Sequence, residues 1–277
     1  MRAQFAMKKL KVFVSCLLLL CTLFTLFACR PNADENRNRE INAINHRGYG
    51  DAPENTLAAF RMSKKMGFDM VECDVRFTKD NVPVLLHDAT VNRTSNGKGN
   101  IADLTLEEVK AFDFGRWKSK AYAGETIPTF EEFVDLCVEL SLHPYVEVKG
   151  ATFGQTQTLV EIANQADLAV TWISYNKDVI SRLVDLRSND RFGLVTNRVT
   201  DDGLQFLQNL SQKAEVFIDA NYILLTSKKI KLCKSYGIPL EVWTVNIKSV
   251  VANLDSYISG VTSDYLNAQT IFDNIKG

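Results

Sequence analysis

The chain has 277 residues, 46% hydrophobic and 23% charged, with 32 Lys and Arg against 33 Asp and Glu. Residues 1–28 hold four of those basic residues and no acidic one, so the 249 residues after them carry a net charge of −5. No basic excess exists to neutralise phosphates, which excludes nucleic acid as a partner. About 250 residues is the usual size of one (β/α)8 barrel.

The chain opens on a basic segment, Arg2, Lys8, Lys9 and Lys11, followed by an uncharged apolar run from Val12 to Phe27. That run is short for a spanning helix of about 20 residues. Leu26-Phe27-Ala28-Cys29 closes it with a small residue before a cysteine. Residues 1–28 therefore read as a secretory signal peptide whose end resembles a bacterial lipobox, with Cys29 as the lipidated residue. The competing reading is an uncleaved N-terminal anchor, and Phe27 is bulkier than the lipobox pattern usually has. The expected location is extracytoplasmic, with the chain anchored to the bacterial cell membrane through that lipid. Polar residues 29–40 read as a flexible tether.

Beyond the tether, short β-branched runs alternate with amphipathic helical patterns, the signature of a parallel sheet. Eight strands are predicted: 41–46, 70–75, 144–149, 171–175, 192–196, 216–220, 240–245 and 260–263. The helices between and after them are predicted over 56–66, 130–142, 155–165, 178–186, 202–214, 227–236, 248–256 and 268–275. The first opens after Asn55 as its cap, and the second follows Pro128-Thr129. Eight strands with eight helices close a barrel better than they fill an open sheet. The expected fold is an α/β (β/α)8 TIM barrel over residues 41–277.

One connection breaks the alternation. Residues 77–86 read as a hairpin turning at Lys79-Asp80-Asn81, and residues 91–127 form a polar insertion with a short helix near Leu106. Loops this long are usually functional, and an inserted subdomain after strand two would sit over the catalytic mouth of a barrel. Cys73, Cys137 and Cys233 follow no metal-type spacing; the first two read as buried free thiols.

Glu72 and Asp74 are two apart on a strand, so both face into the barrel. Adjacent carboxylates repel unless a cation separates them, and oxygen ligands suit Mg²⁺ or Ca²⁺. Glu147, at the end of the next barrel strand, offers a third oxygen, making Glu72, Asp74 and Glu147 the candidate ligands of one divalent metal ion. The bland alternative is a set of solvated strand-end charges. The chain has three histidines. His46 and His87 end predicted strands and are candidate general acid and base, whereas His143 begins a strand and reads as structural. Arg47 and Lys149 are candidate phosphate-binding cations, and Trp243 either lines the pocket or packs. Glu54 reads as favouring a helix N-terminus.

The ordered set HRG…PENT, ECD, VPVLLHD…RTSNGKG, IPTFEE, VEVKG, ISY, VWTVN and GVTSD over residues 42–266 resembles the bacterial glycerophosphodiester phosphodiesterase family. The resemblance implies a (β/α)8 barrel with an insertion after strand two, metal ligands at Glu72, Asp74 and Glu147, catalytic histidines at His46 and His87, and phosphate contacts from Arg47 and Lys149. Tyr175 departs from it, standing where phenylalanine is common. The implied activity is metal-dependent hydrolysis of a small glycerophosphodiester to glycerol 3-phosphate and an alcohol. Two alternatives compete: a related barrel phospholipase of C or D type acting on intact lipid, and a non-catalytic lipoprotein that binds a phosphodiester.

Overall fold

The computed structural model of the chain describes residues 41–276; the predicted signal peptide, the tether and Cys29 lie outside the described residues. Strand β1 (Asn42–Asn45) leads through helix α1 (Leu57–Lys65) to β2 (Met70–Phe77), which turns back into the antiparallel β3 (Pro83–Leu85). After a long excursion that holds α2 (Leu106–Lys110), the chain resumes with α3 (Phe130–Leu140), β4 (His143–Val148), α4 (Phe153–Gln165), β5 (Thr171–Ser174) and α5 (Lys177–Leu186). It continues as β6 (Arg191–Thr196), α6 (Asp201–Leu210), β7 (Glu215–Asn221), α7 (Ser227–Tyr236), β8 (Leu240–Trp243), α8 (Lys248–Val251), β9 (Ile258–Ser263) and α9 (Ala268–Lys276).

Every strand but β3 runs parallel to its neighbours, and β1 pairs with both β2 and β9. The eight parallel strands therefore form a closed barrel. Alternation along each strand sorts the side chains. On β2, Val71, Cys73 and Val75 belong to the core under the helices, which leaves Glu72 and Asp74 to face the barrel interior. The same rule puts Trp172 outside, where its indole N–H donates to Asp190 at 2.8 Å. Inside, Ile44, Tyr145, Ile173, Val195 and Phe217 make a separate apolar layer. Phe217 needs Gly193 beside it, because a Cβ there would stand 2.5 Å from its ring. Below, Arg191 binds Glu241 at 3.2 Å and the Tyr145 hydroxyl at 2.9 Å, closing the floor.

Local chemistry fixes the helix ends. Thr129 and Glu132 form a reciprocal capping box on α3, as the Pro128-Thr129 signal predicts, and Thr152 with Gln155 caps α4 the same way. On α1 the cap is Thr56, not Asn55; Asn55 has φ +57° and its side chain is used elsewhere. Helix α8 stops at Val251, well short of the predicted 256. The excursion between β3 and α3 has its own apolar cluster, centred on Val91, Ile101, Val109, Phe114 and Ile127. Cys73, Cys137 and Cys233 are all buried and free.

Candidate active site

The predicted chemical residues converge at the C-terminal mouth of the barrel. His46 follows β1, Glu72 and Asp74 lie on β2, His87 follows β3, Glu147 and Lys149 sit at the end of β4, and Trp243 ends β8. A cavity of about 190 Å³ is lined by His46, Arg47, Glu72, His87, Glu147, Lys149 and Trp243, together with Ile173, Tyr175, Val195, Asp219 and Thr262. His143 lies at the opposite end of β4, with Nε2 2.9 Å from the Thr171 hydroxyl, and takes no part.

The HRG turn is shaped by backbone. Arg47 has φ +55° and Gly48 φ +81°, and a Cβ on Gly48 would lie 2.5 Å from that of Ala59, so only glycine fits. This turn aims the Arg47 N–H at Glu72 Oε2, 2.9 Å away. The Arg47 guanidinium then reaches Asp74 at 3.2 Å and Glu54 at 3.1 Å. Lys149 Nζ pairs with Asp74 Oδ1 at 2.8 Å and Glu147 Oε2 at 2.7 Å.

Glu72, Asp74 and Glu147 each offer an oxygen within 4.8 Å of the others, and all three are buried. Burial and the neighbouring Asp74 push the Glu72 and Glu147 carboxyls up. Asp74 is held below the ordinary range: burial opposes this, but Lys149 and Arg47 outweigh it. Glu147 Oε1 is buried without a hydrogen-bond partner. Three carboxylates against two cations leave one excess negative charge. An oxygen-binding divalent ion fits this donor set, its span and its orphaned oxygen.

Each histidine is tied through Nδ1 to a carboxylate: His46 to Asp264 at 2.8 Å and His87 to Asp88 at 2.7 Å. A carboxylate can only accept, so Nδ1 carries the proton and Nε2 is left free for proton exchange. Burial lowers the His87 imidazole below its ordinary value, with Asp74 pulling the other way. Arg93, from the excursion, donates to Glu54 at 2.7 and 2.8 Å and to Asp88 at 2.7 Å, linking the two networks. A second cavity of about 230 Å³ shares His46 and Arg47 with the first and extends to Tyr49, Glu54, Trp117, Lys118 and Tyr265.

A profile of the glycerophosphoryl diester phosphodiesterase family matches residues 46–268. The chain belongs to that family. Among family members it is similar to YhdW of Bacillus subtilis, 32% identical over 240 residues that cover 80% of this chain and 93% of that protein. It is 30% identical over 229 residues to a glycerophosphodiester phosphodiesterase of Caldanaerobacter subterraneus, again covering 80% and 93% of the two chains. In structure it resembles an Oleispira antarctica phosphodiesterase solved in complex with the product sn-glycerol-3-phosphate, with a TM-score of 0.77, 27% identity, and coverage of 88% of this chain and 99% of that one.

The site of this phosphodiesterase-family chain contains residues that sequence reasoning assigned no role there, Asn55 having been read only as a helix cap. Asp88 and Asp264 orient the histidines, Arg93 bridges to the HRG turn, Asn55 binds Asp74, and Asp219 lines the inner cavity. The adjacency in His87-Asp88 was a usable signal. So was Asp219 as the one charge inside the apolar run Val216–Ala220.

Proposed function

We propose that this chain is a metal-dependent glycerophosphodiester phosphodiesterase that releases glycerol 3-phosphate and an alcohol. The observation that carries the reading is the meeting, at one cavity, of two histidines with free Nε2 atoms, the cations Arg47 and Lys149, and Glu72 and Glu147 of the three-carboxylate cluster. The names of the Caldanaerobacter relative and the product in the Oleispira structure support the substrate class.

Arg47 and Lys149 bind the phosphate, keeping the phosphorus between the inner and outer cavities, which meet at His46 and Arg47. A divalent cation, Mg²⁺ or Ca²⁺, held by Glu72, Asp74 and Glu147 would supply further positive charge to the phosphate oxygens. The inner cavity takes the glyceryl end, and the outer one takes the headgroup. His87 removes the proton of the glyceryl 2-hydroxyl, whose oxygen bonds to phosphorus as the bond to the headgroup oxygen breaks. His46, which borders the outer cavity, gives its proton to the departing alcohol. Water then opens the cyclic phosphate with the roles reversed: His46 takes the proton of water and His87 returns one to the 2-hydroxyl.

A second reading, action on a lipid-bearing diester, is favoured by one observation. Among the described residues, seven of the nine exposed large apolar side chains (Trp117, Phe153, Tyr175, Ile223, Leu224, Ile247 and Tyr265) lie in the excursion or after C-terminal strand ends, around the mouth. Only Trp117 belongs to the polar excursion. Attachment through a lipid on Cys29 is part of the same proposal, supported by the basic, apolar, Ala-Cys order of residues 2–29. The test is release of glycerol 3-phosphate from glycerophosphocholine, glycerophosphoethanolamine and glycerophosphoglycerol, and of free choline from lysophosphatidylcholine as comparator, before and after chelation. No release from any diester in the presence of metal defeats the reading.

A further inference from the structure

We propose that Asp219 sets substrate specificity by binding the terminal hydroxyl of the glyceryl end of the diester, an inference that rests on the function proposed above.

Asp219 stands on the inner face of β7, two residues below the strand end at Asn221, opposite Val195 of β6 and Glu241 of β8. It lines the inner cavity yet is only 5% exposed, and its Oδ1 is buried with no hydrogen-bond partner. A native fold seldom leaves a buried carboxyl oxygen unmatched unless something else is meant to meet it. The neighbouring polar groups are already engaged. Glu241 accepts from Asn42 and Arg191, and Lys149 pairs with Asp74 and Glu147. The three-carboxylate cluster is complete without Asp219.

The surroundings say what Asp219 is built to receive. Ile173 and Val195 line the same cavity, as do Trp243 and Tyr175, whose rings meet edge to face at 6.3 Å. The Trp243 indole N–H donates to the backbone carbonyl of Asp219 at 3.2 Å, which keeps that wall beside the carboxyl. Apolar sides suit a carbon chain, and an unpaired carboxyl oxygen between them suits a hydroxyl. Burial, with Glu241 and Glu147 adding to it, pushes the Asp219 carboxyl well up. Its unpaired Oδ1 can accept from a hydroxyl, and a carboxyl that holds a proton also donates to one. In a glyceryl ester the 2-hydroxyl lies beside the phosphorus, so the terminal hydroxyl is the group that extends away from it.

The test is calorimetric binding of glycerol 3-phosphate and of propane-1,2-diol 1-phosphate, which lacks only the terminal hydroxyl, in metal-replete buffer. The wild type should prefer glycerol 3-phosphate by about tenfold or more. In Asp219→Ala the two affinities should converge, with glycerol 3-phosphate falling to the level of the deoxy ligand. Asp219→Asn, which still offers a donor and an acceptor, should keep most of the preference. Because no protein contact of the carboxyl is lost, the alanine variant should melt no lower than the wild type. Equal affinities in the wild type, or a preference that survives in Asp219→Ala, overturn this inference and leave diester hydrolysis standing. An alanine variant that unfolds also overturns it, since Asp219 would then have a structural partner. Failure of both ligands to bind the wild type overturns the inference together with the function.

Discussion

Asn55 Nδ2 donates to Asp74 Oδ2 at 2.8 Å, and the backbone N–H of Asp74 donates back to Asn55 Oδ1 at 3.1 Å. This reciprocal pair fastens the loop after β1 to the most buried carboxylate of the cluster and leaves Oδ1 of Asp74 to Lys149. Asn55→Gly keeps the positive φ of +57° accessible and removes only the side chain. Metal affinity should fall by about 10- to 100-fold, the usual cost of losing a group that orients a ligand. A metal titration by calorimetry checks this; an unchanged affinity would show that Asn55 merely shapes the loop.

Metal should also be visible as stability. A cation bound at 100 times its Kd adds about 2.7 kcal/mol to the folded state, so Mg²⁺, Mn²⁺ or Ca²⁺ should raise the wild-type Tm and chelation should reverse the gain. Glu72→Gln and Glu147→Gln should abolish both this shift and turnover. The metal-free variants should still fold, because each substitution relieves repulsion among the carboxylates. Full activity in excess chelator would end the metal hypothesis.

Much of the site was legible because strand periodicity alone fixes its geometry. Glu72 and Asp74 share a face by being two apart, and Glu147 and Lys149 do so on the adjoining strand. Asn55 was misread for a physical reason: asparagine is a strong helix cap by composition, and only its positive φ moves it out of that position and leaves Thr56 to cap α1. Arg93 could not be placed by periodicity, since it bridges Glu54 and Asp88 from an irregular excursion. Helix α8 ends at Val251 although Leu254 keeps the helical apolar spacing, because the chain must turn into β9 at Ile258. Asp264 follows the last strand by one residue, and nothing local marks it as the partner of a histidine 218 positions away.

The pH profile follows from His87. Burial lowers its pKa from 6.5, so the ring is neutral at and above that pH and available as a base. Activity should therefore rise with pH along a limb centred below 6.5, and bound metal should move the limb lower still. Stability has the same sign: the unfolded ring takes a proton more readily, so the fold loses stability as pH drops from 6.5 through the folded pKa. Asp88→Asn removes a hydrogen bond that raises the His87 pKa and fixes its tautomer. The limb should shift further down while turnover falls by about 10²- to 10⁴-fold. A wild-type limb above 6.5 in kcat/KM would rule out His87 as the base.

Attachment of the mature chain to a membrane is expected through a lipid on Cys29; no helix among the described residues is long and apolar enough to cross one. Cys29→Ser should yield a precursor without acyl mass in the membrane fraction. Mature protein from native membranes that begins elsewhere and carries no lipid would defeat the lipoprotein reading.

The nucleophile can be decided by substrate chemistry. In a glycerophosphodiester the 2-hydroxyl stands close enough to phosphorus to attack internally, and a held intramolecular group has an effective concentration far above that of bulk water, up to about 10⁵–10⁸ M. His46 and His87, each with Nδ1 committed to a carboxylate, leave one Nε2 to take the hydroxyl proton and one to give a proton to the leaving alcohol. Both act on charge that develops during reaction, so His46→Ala and His87→Ala should each lower kcat far more than they raise KM. A propane-1,3-diol phosphodiester keeps the terminal hydroxyl and lacks the 2-hydroxyl. It should bind and remain uncleaved, and wild-type enzyme quenched early on glycerophosphocholine should contain a glycerol cyclic phosphate. Rapid hydrolysis of the deoxy diester would instead mean direct attack by water, and the cyclic route would have to be abandoned while the roles of Arg47 and Lys149 stood.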